Sequence, residues 1–161
     1  MYTDDHAKQR REGRTLARLG AVQALYQLEH SGQGVDAVVR EFIAHRLGGE
    51  IDGAALRSAD DDFFSDITQG VVETQGPVDR LVSKHLREGW SLKRLDATAR
   101  AILRCGVYEL IRRPDVPAKA TIDEYINIAN DFFGAGEQEP QFINAVLEAC
   151  GRDVRDDEIN P

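Results

Sequence analysis

The sequence predicts an all-α fold, a compact single domain of about seven helices. Three observations predict it. Apolar residues recur at intervals of three and four in one segment after another, the period of a buried helix face. Strand signals are scarce, since no segment alternates apolar and polar residues over six positions with β-branched enrichment, and no Asn-Gly or Asp-Gly hairpin turn is expected. Breaks rich in glycine and proline separate the periodic segments, so each amphipathic segment must bury its stripe against another. At 161 residues and 42% hydrophobic, the chain can bury roughly 70% of its unfolded surface in one core, which makes disorder and fibres poor readings.

The elements follow in order. Leu19, Val22, Leu25, Tyr26 and Leu28 place one apolar stripe on a helix from about residue 8 to 29, weakened at Gly13 and Gly20 by about 1 kcal/mol each relative to alanine. "HSGQG" at 30–34 stops it. Val35, Val38, Val39, Phe42 and Ile43 start a second helix that ends at Gly48 and Gly49, and a linker of small and acidic residues runs to about Asp61. Phe63, Phe64, Ile67, Val71 and Val72 make the third helix, ending near Gly76; Pro77 suits the first turn of a fourth that carries Val78, Leu81, Val82 and Leu86. After the connection "REGWSLKRLD", Asp96 can accept from the free amides of the next turn, and Ala99, Ile102, Leu103, Val107, Leu110 and Ile111 trace a long fifth helix. "RRPDVP" breaks it. Pro117 opens the sixth, with Ile122, Tyr125, Ile126, Ala129 and Phe133 on one face and Asp123, Glu124, Asn127 and Asn130 on the other. The loop "GAGEQEP" leads to a last helix with Phe142, Ile143, Val146 and Leu147. The resulting organisation is a flexible stretch at 1–7, a helical domain at 8–151, and an acidic tail at 152–161 expected to fray.

Charge is unevenly spread. The net charge of -8 argues at first against a nucleic-acid partner, but between Lys8 and Arg18 five cations face one anion, Glu12, so a +4 arm adjoins a -12 remainder. Arg10, Arg14 and Arg18 recur every four residues, a spacing that on a helix forms one ridge of guanidinium groups able to follow phosphates; Arg11 lies beside it. A solvated face is the other reading, and the contrast with the acidic remainder favours a polyanion. Cys105 and Cys150 sit in apolar helical patterns and read as buried thiols of a reducing compartment. No apolar run approaches the roughly 20 residues that span a bilayer, and the N-terminus has no apolar leader core, so a cytoplasmic protein with no membrane association is expected.

Catalytic and metal chemistry finds no support in the pattern. His6, His30, His45 and His85 are far apart and form no HxxxH pair, no Walker sequence or nucleophile elbow occurs, and no cofactor or metal is expected. Asp60, Asp61 and Asp62 lack the spaced ligands of a calcium loop and read as a solvated run. His85 near Trp90 could be a proton-transfer pair or a surface histidine beside a packing indole, the second being the simpler.

Several blocks resemble the NusB transcription antitermination factors, from about Arg10 to Cys150. They are "ARLGAVQALYQLE" at 17–29, "FFSDITQGV" at 63–71, "ILRCGVYELIRRPDVPAKATIDEYINIANDF" at 102–132 and "FINAVLE" at 142–148, in the family's order and spacing. The resemblance implies a non-enzymatic all-helical protein of two packed helical sub-bundles. It implies binding to boxA, a short single-stranded RNA element in ribosomal RNA leader transcripts, together with the ribosomal protein NusE. The pair would then join RNA polymerase and other Nus factors to resist termination. Single-stranded RNA needs cations along its backbone and flat groups against its bases, and the arm can supply the first.

Carried over by position, Arg14 and Arg18 match basic positions of the family's first helix, with Arg10 and Arg11 further out because Gly13, Thr15 and Leu16 interrupt the run. Tyr26 matches the tyrosine of its AVQALY block, where core packing is an equal alternative, and Phe142 and Asn144 match its F-[IV]-N block, with partial burial expected for Phe142. Glu124, Asn127 and Asn130 on helix six, with the adjacent part of helix five, are the expected NusE-binding face; local capping is the alternative for Glu124. Two further readings stand beside this one. An isolated NusB-like domain of an rRNA cytosine methyltransferase would need an additional α/β domain and catalytic cysteine, for which the single domain leaves no room. A homodimer could cover the RNA face in storage.

Overall fold

The computed structural model describes residues 2–47, 50–51, 54–55 and 59–159. Among them are helices α1 (Tyr2–Ser31), α2 (Val35–His45), α3 (Asp61–Glu73), α4 (Gln75–Lys84), α5 (Ala97–Arg112), α6 (Ala118–Phe133), α7 (Gln138–Val154) and α8 (Asp156–Ile159). A 3-10 turn spans Leu92–Arg94, and two-residue strands β1 (Glu50–Ile51) and β2 (Ala54–Ala55) pair antiparallel. The all-α expectation holds. The strand pair flanks the sequence Asp52-Gly53, a dipeptide with strong hairpin preference, so the expectation of no Asp-Gly hairpin turn is corrected. The expected stop at Gly48 and Gly49 lies outside the described residues. The chain divides into two units, one up to Val72 and one from Glu73.

In the first unit α1 begins at Tyr2, six residues before the expected start, and ends at Ser31, followed by Gly32 at φ +70°. Its buried positions Ala17, Ala21, Val22, Ala24 and Leu25 share a core with Val38, Val39 and Phe42 of α2 and with Phe63, Phe64 and Ile67 of α3. The rings of Phe42 and Phe64 stack with centroids 5.6 Å apart. Gly20, unfavourable by helix propensity, suits this packing, since a Cβ there would come within 2.7 Å of Leu47 Cδ2, which would have to shift, and 3.3 Å of Phe64 Cδ2. The acidic run is more than a solvated loop. Asp60 Oδ1 accepts from the Phe63 amide at 2.9 Å, and Asp61 and Asp62 occupy the first turn of α3, where negative charge complements the helix dipole. Partial burial, then the neighbouring Asp62 and Asp60, raises the Asp61 pKa.

The second unit is built around α5, which packs against α4, α6 and α7. The predicted stripe is only part of what α5 buries. Ala101, Cys105, Gly106, Tyr108 and Glu109 are buried as well, so almost every side of the helix from Thr98 to Leu110 is covered. A Cβ at Gly106 would lie 2.9 Å from Leu147 Cδ2 and 3.3 Å from Tyr125 Cδ2, which sets how closely α6 and α7 approach. Fully buried Glu109 is accommodated by the Tyr125 hydroxyl, which donates to Glu109 Oε2 at 2.5 Å. Arg104 makes a two-pronged contact with Asp79 of α4 at 2.9 and 3.0 Å. Asp96 caps α5 as expected, its Oδ1 accepting from Thr98 N at 2.9 Å and Ala99 N at 3.3 Å. On α6, Ile122, Tyr125 and Ala129 are buried as read from the sequence, with Ile128 rather than Ile126 completing the face. Both cysteines are buried and unbridged; burial pushes the Cys150 thiol up to about 12, with Asp153 adding to the rise, and raises Cys105 well above its ordinary value.

Within the tail, the described residues 155–159 make specific contacts. Arg155 donates from Nε to the Leu110 carbonyl at 3.0 Å and from Nη2 to those of Arg113 and Val116 at 2.8 and 3.0 Å, satisfying acceptors at the end of α5. Its Nη1 pairs with Glu158, whose Oε1 accepts from the Ala118 amide at 2.9 Å at the start of α6, where Pro117 offers no side-chain cap. Ile159 covers Gly151. These polar residues thus serve the last carbonyls of α5 and the start of α6, where Pro117 provides no side-chain cap.

Asp96→Ala should destabilise the protein by about 1 kcal/mol, with Asp96→Asn nearly neutral, read as a shift of the urea midpoint at constant slope. The Ala118 amide, then Arg155, hold the Glu158 carboxyl below its usual value of 4.5. Its contribution is therefore present above that value and lost as pH falls through the lower folded-state pKa. The protection factor of the Ala118 amide, the exchange rate of an unprotected amide at the same pH relative to its own, should fall on acidification below that value, and Glu158→Gln should remove this pH dependence.

Candidate nucleic-acid interface

The cationic arm is the N-terminal half of α1, and its cations do not share one fate. Lys8, Arg10 and Arg11 are exposed. The guanidinium of Arg14 lies 4.5 Å from the centre of the Phe63 ring, with Nε 3.8 Å from Asp60 Oδ2. Arg18 is only 4% exposed and lies 4.9 Å from the same ring centre. The expected ridge of Arg10, Arg14 and Arg18 is therefore corrected. Residues four apart share a face, as the sequence reading held, but from Arg14 onward that face turns toward α3, and Arg18 belongs to the packing there.

The outward face of α1 carries a different set. Lys8 and Tyr26 are separated by 18 positions, five whole turns, and so point the same way about 27 Å apart along the axis, with Arg11 one turn beyond Lys8. Tyr26 is 44% exposed, which decides against core packing. It stacks on His30 with centroids 4.2 Å apart and planes 25° from parallel. His30 Nδ1 lies 2.7 Å from the Tyr26 carbonyl oxygen, a contact that places the proton on Nδ1. His30 was not singled out in the sequence, although its spacing of four from Tyr26 is the signal that could have found it.

In the second unit Phe142 and Asn144 sit on the first half of α7, both half-buried, as expected for Phe142. Phe142 opens onto a cavity of about 720 Å³ lined also by His85, Arg87, Trp90, Arg94 and Gln138. The sequence reading of Trp90 as a packing indole is overturned, for it is 55% exposed. Nor does His85 pair with it. His85 Nε2 lies 2.7 Å from Asp153 Oδ2, and Lys84 Nζ donates to the same oxygen at 2.9 Å; these hydrogen bonds hold the Asp153 carboxyl below its ordinary pKa. On α6, Asn127 is exposed while Glu124 and Asn130 are half-buried, and the structure brings none of the three into the cavity beside Phe142.

Among the described residues no cluster of three or more His, Cys, Asp or Glu side chains could hold a metal ion, and no helix is long and apolar enough to cross a membrane. Fold and site define an all-helical binding protein whose outward chemistry is a cationic helix end and an aromatic, basic cavity. The NusB family model matches residues 15–152, and the chain belongs to the NusB family. It is 52% identical over 143 residues to the transcription antitermination protein NusB of Caulobacter vibrioides, covering 89% of this chain and 95% of that one. It is 51% identical over 146 residues to that of Maricaulis maris, covering 91% and 90%. Among solved structures it is similar to NusB of T. maritima, with a TM-score of 0.73 and 27% identity over 92% of this chain and 97% of that one. The fold also matches a structure of antitermination factors NusB and NusE in complex with dsRNA, at TM-score 0.73 and 22% identity over 88% and 98%.

Two arginines of the arm should separate by assay. Arg18→Ala should lower thermal stability by about 1–3 kcal/mol through lost packing on Phe63, whereas Arg11→Ala should change it by less than about 0.5 kcal/mol. Equal melting temperatures for the two variants would contradict the inward placement of Arg18.

Proposed function

We propose that this protein binds the boxA element of nascent ribosomal RNA transcripts together with NusE, in the cytoplasm, and helps RNA polymerase with other Nus factors to resist termination. The observation that carries the reading is the exposed set Lys8, Arg10 and Arg11 on a chain of net charge -8 that belongs to the NusB family. In an acidic protein such a segment marks where a polyanion is admitted, because elsewhere the field repels it. A solved structure of antitermination factors NusB and NusE is in complex with dsRNA, which supports NusE and RNA as partners.

Tyr26, Phe142 and Asn144 complete the proposed RNA contacts, the rings against bases and the amide as donor or acceptor to a base edge. Exposed aromatic rings favour unpaired bases over a duplex, whose bases are already stacked. Arg18 is left out of the set and Arg14 is only partly available, so three phosphates rather than four fall to the arm. Glu124, Asn127 and Asn130 on α6 are the proposed NusE face.

The test is co-purification with NusE followed by titration with boxA RNA, a scrambled RNA and a duplex. With three phosphates neutralised, the arm should contribute about -2 to the slope of log K against log salt for a single strand. Replacing Lys8, Arg10 and Arg11 together by Ala should remove that contribution and leave helicity intact. An unchanged slope would move the RNA site off the arm, and failure to bind either NusE or RNA would refute the function.

A further inference from the structure

The turn α8 has no part in the proposed function, yet it reaches three helices. It is four residues long, and a helix that short does not hold by itself, since isolated helices under about 12–15 residues are marginal in water. It therefore forms only while docked. Arg155 anchors one end through the carbonyls of Leu110, Arg113 and Val116, with a side chain only 8% exposed. Glu158 anchors the other on the Ala118 amide and also pairs with Arg155, so the two anchors are tied together. Ile159 adds the apolar contact: its Cδ1 fills the space that a Cβ at Gly151 of α7 would take, a position 3.7 Å from Ile122 Cδ1 of α6.

We infer that residues 155–159 are a releasable clamp over the end of α5, the start of α6 and the last turn of α7, which docks and undocks as one unit while the helices beneath it stay folded. Three observations carry this. The contacts are interdependent, because the Arg155 carbonyl accepts from the Glu158 amide at 3.0 Å and the Ile159 amide at 3.2 Å, so the residue that anchors the clamp also sets the position of the other two. Release exposes little apolar surface, for Asp156, Asp157 and Glu158 are already exposed and Ile159 is half-buried, whereas α5 is covered on almost every side. Opening of the clamp is thus far less costly than opening of the unit. The corner beneath has bonds of its own. Arg113 pairs with Asp115 at 3.1 and 2.9 Å, the Val116 amide donates to the Arg113 carbonyl at 3.1 Å, and the Thr121 amide donates to the Pro117 carbonyl at 3.1 Å. None of these passes through the clamp, so the connection from α5 to α6 persists when the clamp leaves. The open form then presents the Ala118 amide and the recess between Gly151 and Ile122, both covered in the docked form.

Native-state hydrogen exchange of the full chain tests the clamp. The amides of Ala118, Glu158 and Ile159 should share one protection factor, about tenfold or more below that of amides in the middle of α5. Ile159→Ala removes no hydrogen bond of Ala118, yet it should lower protection at Ala118 by about fivefold, because the aliphatic groups lost from the recess weaken docking of the whole turn. Arg155→Ala should bring Ala118, Glu158 and residue 159 together close to the exchange of an unprotected peptide. In both variants protection in the middle of α5 and the far-UV circular dichroism should stay at the level of the parent chain. Loss of protection at residues 158 and 159 with Ala118 unchanged in Ile159→Ala would show separate contacts and overturn the clamp. Protection at Ala118 that equals that of α5 and falls only together with it would also overturn it, since the turn would then open only with the whole unit.

Discussion

The near-complete burial of α5 is the constraint on which the second unit depends. A helix covered on almost every side cannot present a polar stripe to water, so each polar group on it must be answered by a named partner. Glu109 is answered by Tyr125, Arg104 by Asp79, the free amides at its start by Asp96, and the carbonyls at its end by Arg155. Gly106 sets the closeness of the surrounding helices. These contacts come from α4, α6, α7 and the C-terminal turn, so the placement of every other helix in the unit is tied to α5. The cavity inherits its position from the same arrangement, since Asp96 and Ala99 from the start of α5 and Gln138 to Val146 from the first half of α7 form part of its wall.

The buried Glu109 shows how such a core tolerates a carboxylate. A charged group moved out of water costs several kcal/mol unless it is hydrogen-bonded, and a hydrogen bond to a charged acceptor returns about 1.5–3 kcal/mol. The tyrosine hydroxyl also fixes the register of α6 against α5, because the bond forms only when those two positions face each other. The same logic extends to the C-terminal turn. Arg155 and Glu158 are ordinary surface residues by type, yet they complete the end of one helix and the start of the next.

Electrostatically, the protein separates its cations by what lies beneath them. Along α1 the arginines nearest α3 rest on the face of Phe63, where a guanidinium both packs and is attracted by the ring, and those further toward the N-terminus stand in solvent. One helix thus uses the same residue type for cohesion in one half and for reach in the other. The chain outside the arm is acidic, so the exposed half of α1 stands out as its concentrated cationic segment.

Much of this was legible in the residues. Helical period, the stops at Gly32 and before Pro117, the Asp96 cap and the buried cysteines were all readable, because each depends on neighbours within a few positions. The half-burial of Phe142 was also readable from its place on the apolar edge of α7. What spacing could not decide was which of several similar groups meets a distant partner. Arg18 looked like the inner end of an exposed ridge until Phe63, forty-five positions on, came to lie beneath it. Trp90 looked like a packing residue, and the acidic tail looked free, although the amide it caps at Ala118 is forty positions away. The sequence by itself determined the helices, their apolar faces and the uneven charge, since these follow from local periodicity and composition. Only the tertiary structure decided which charges and rings face water, because burial of a polar group is a property of the pair it forms and the chain brings that pair together only by folding.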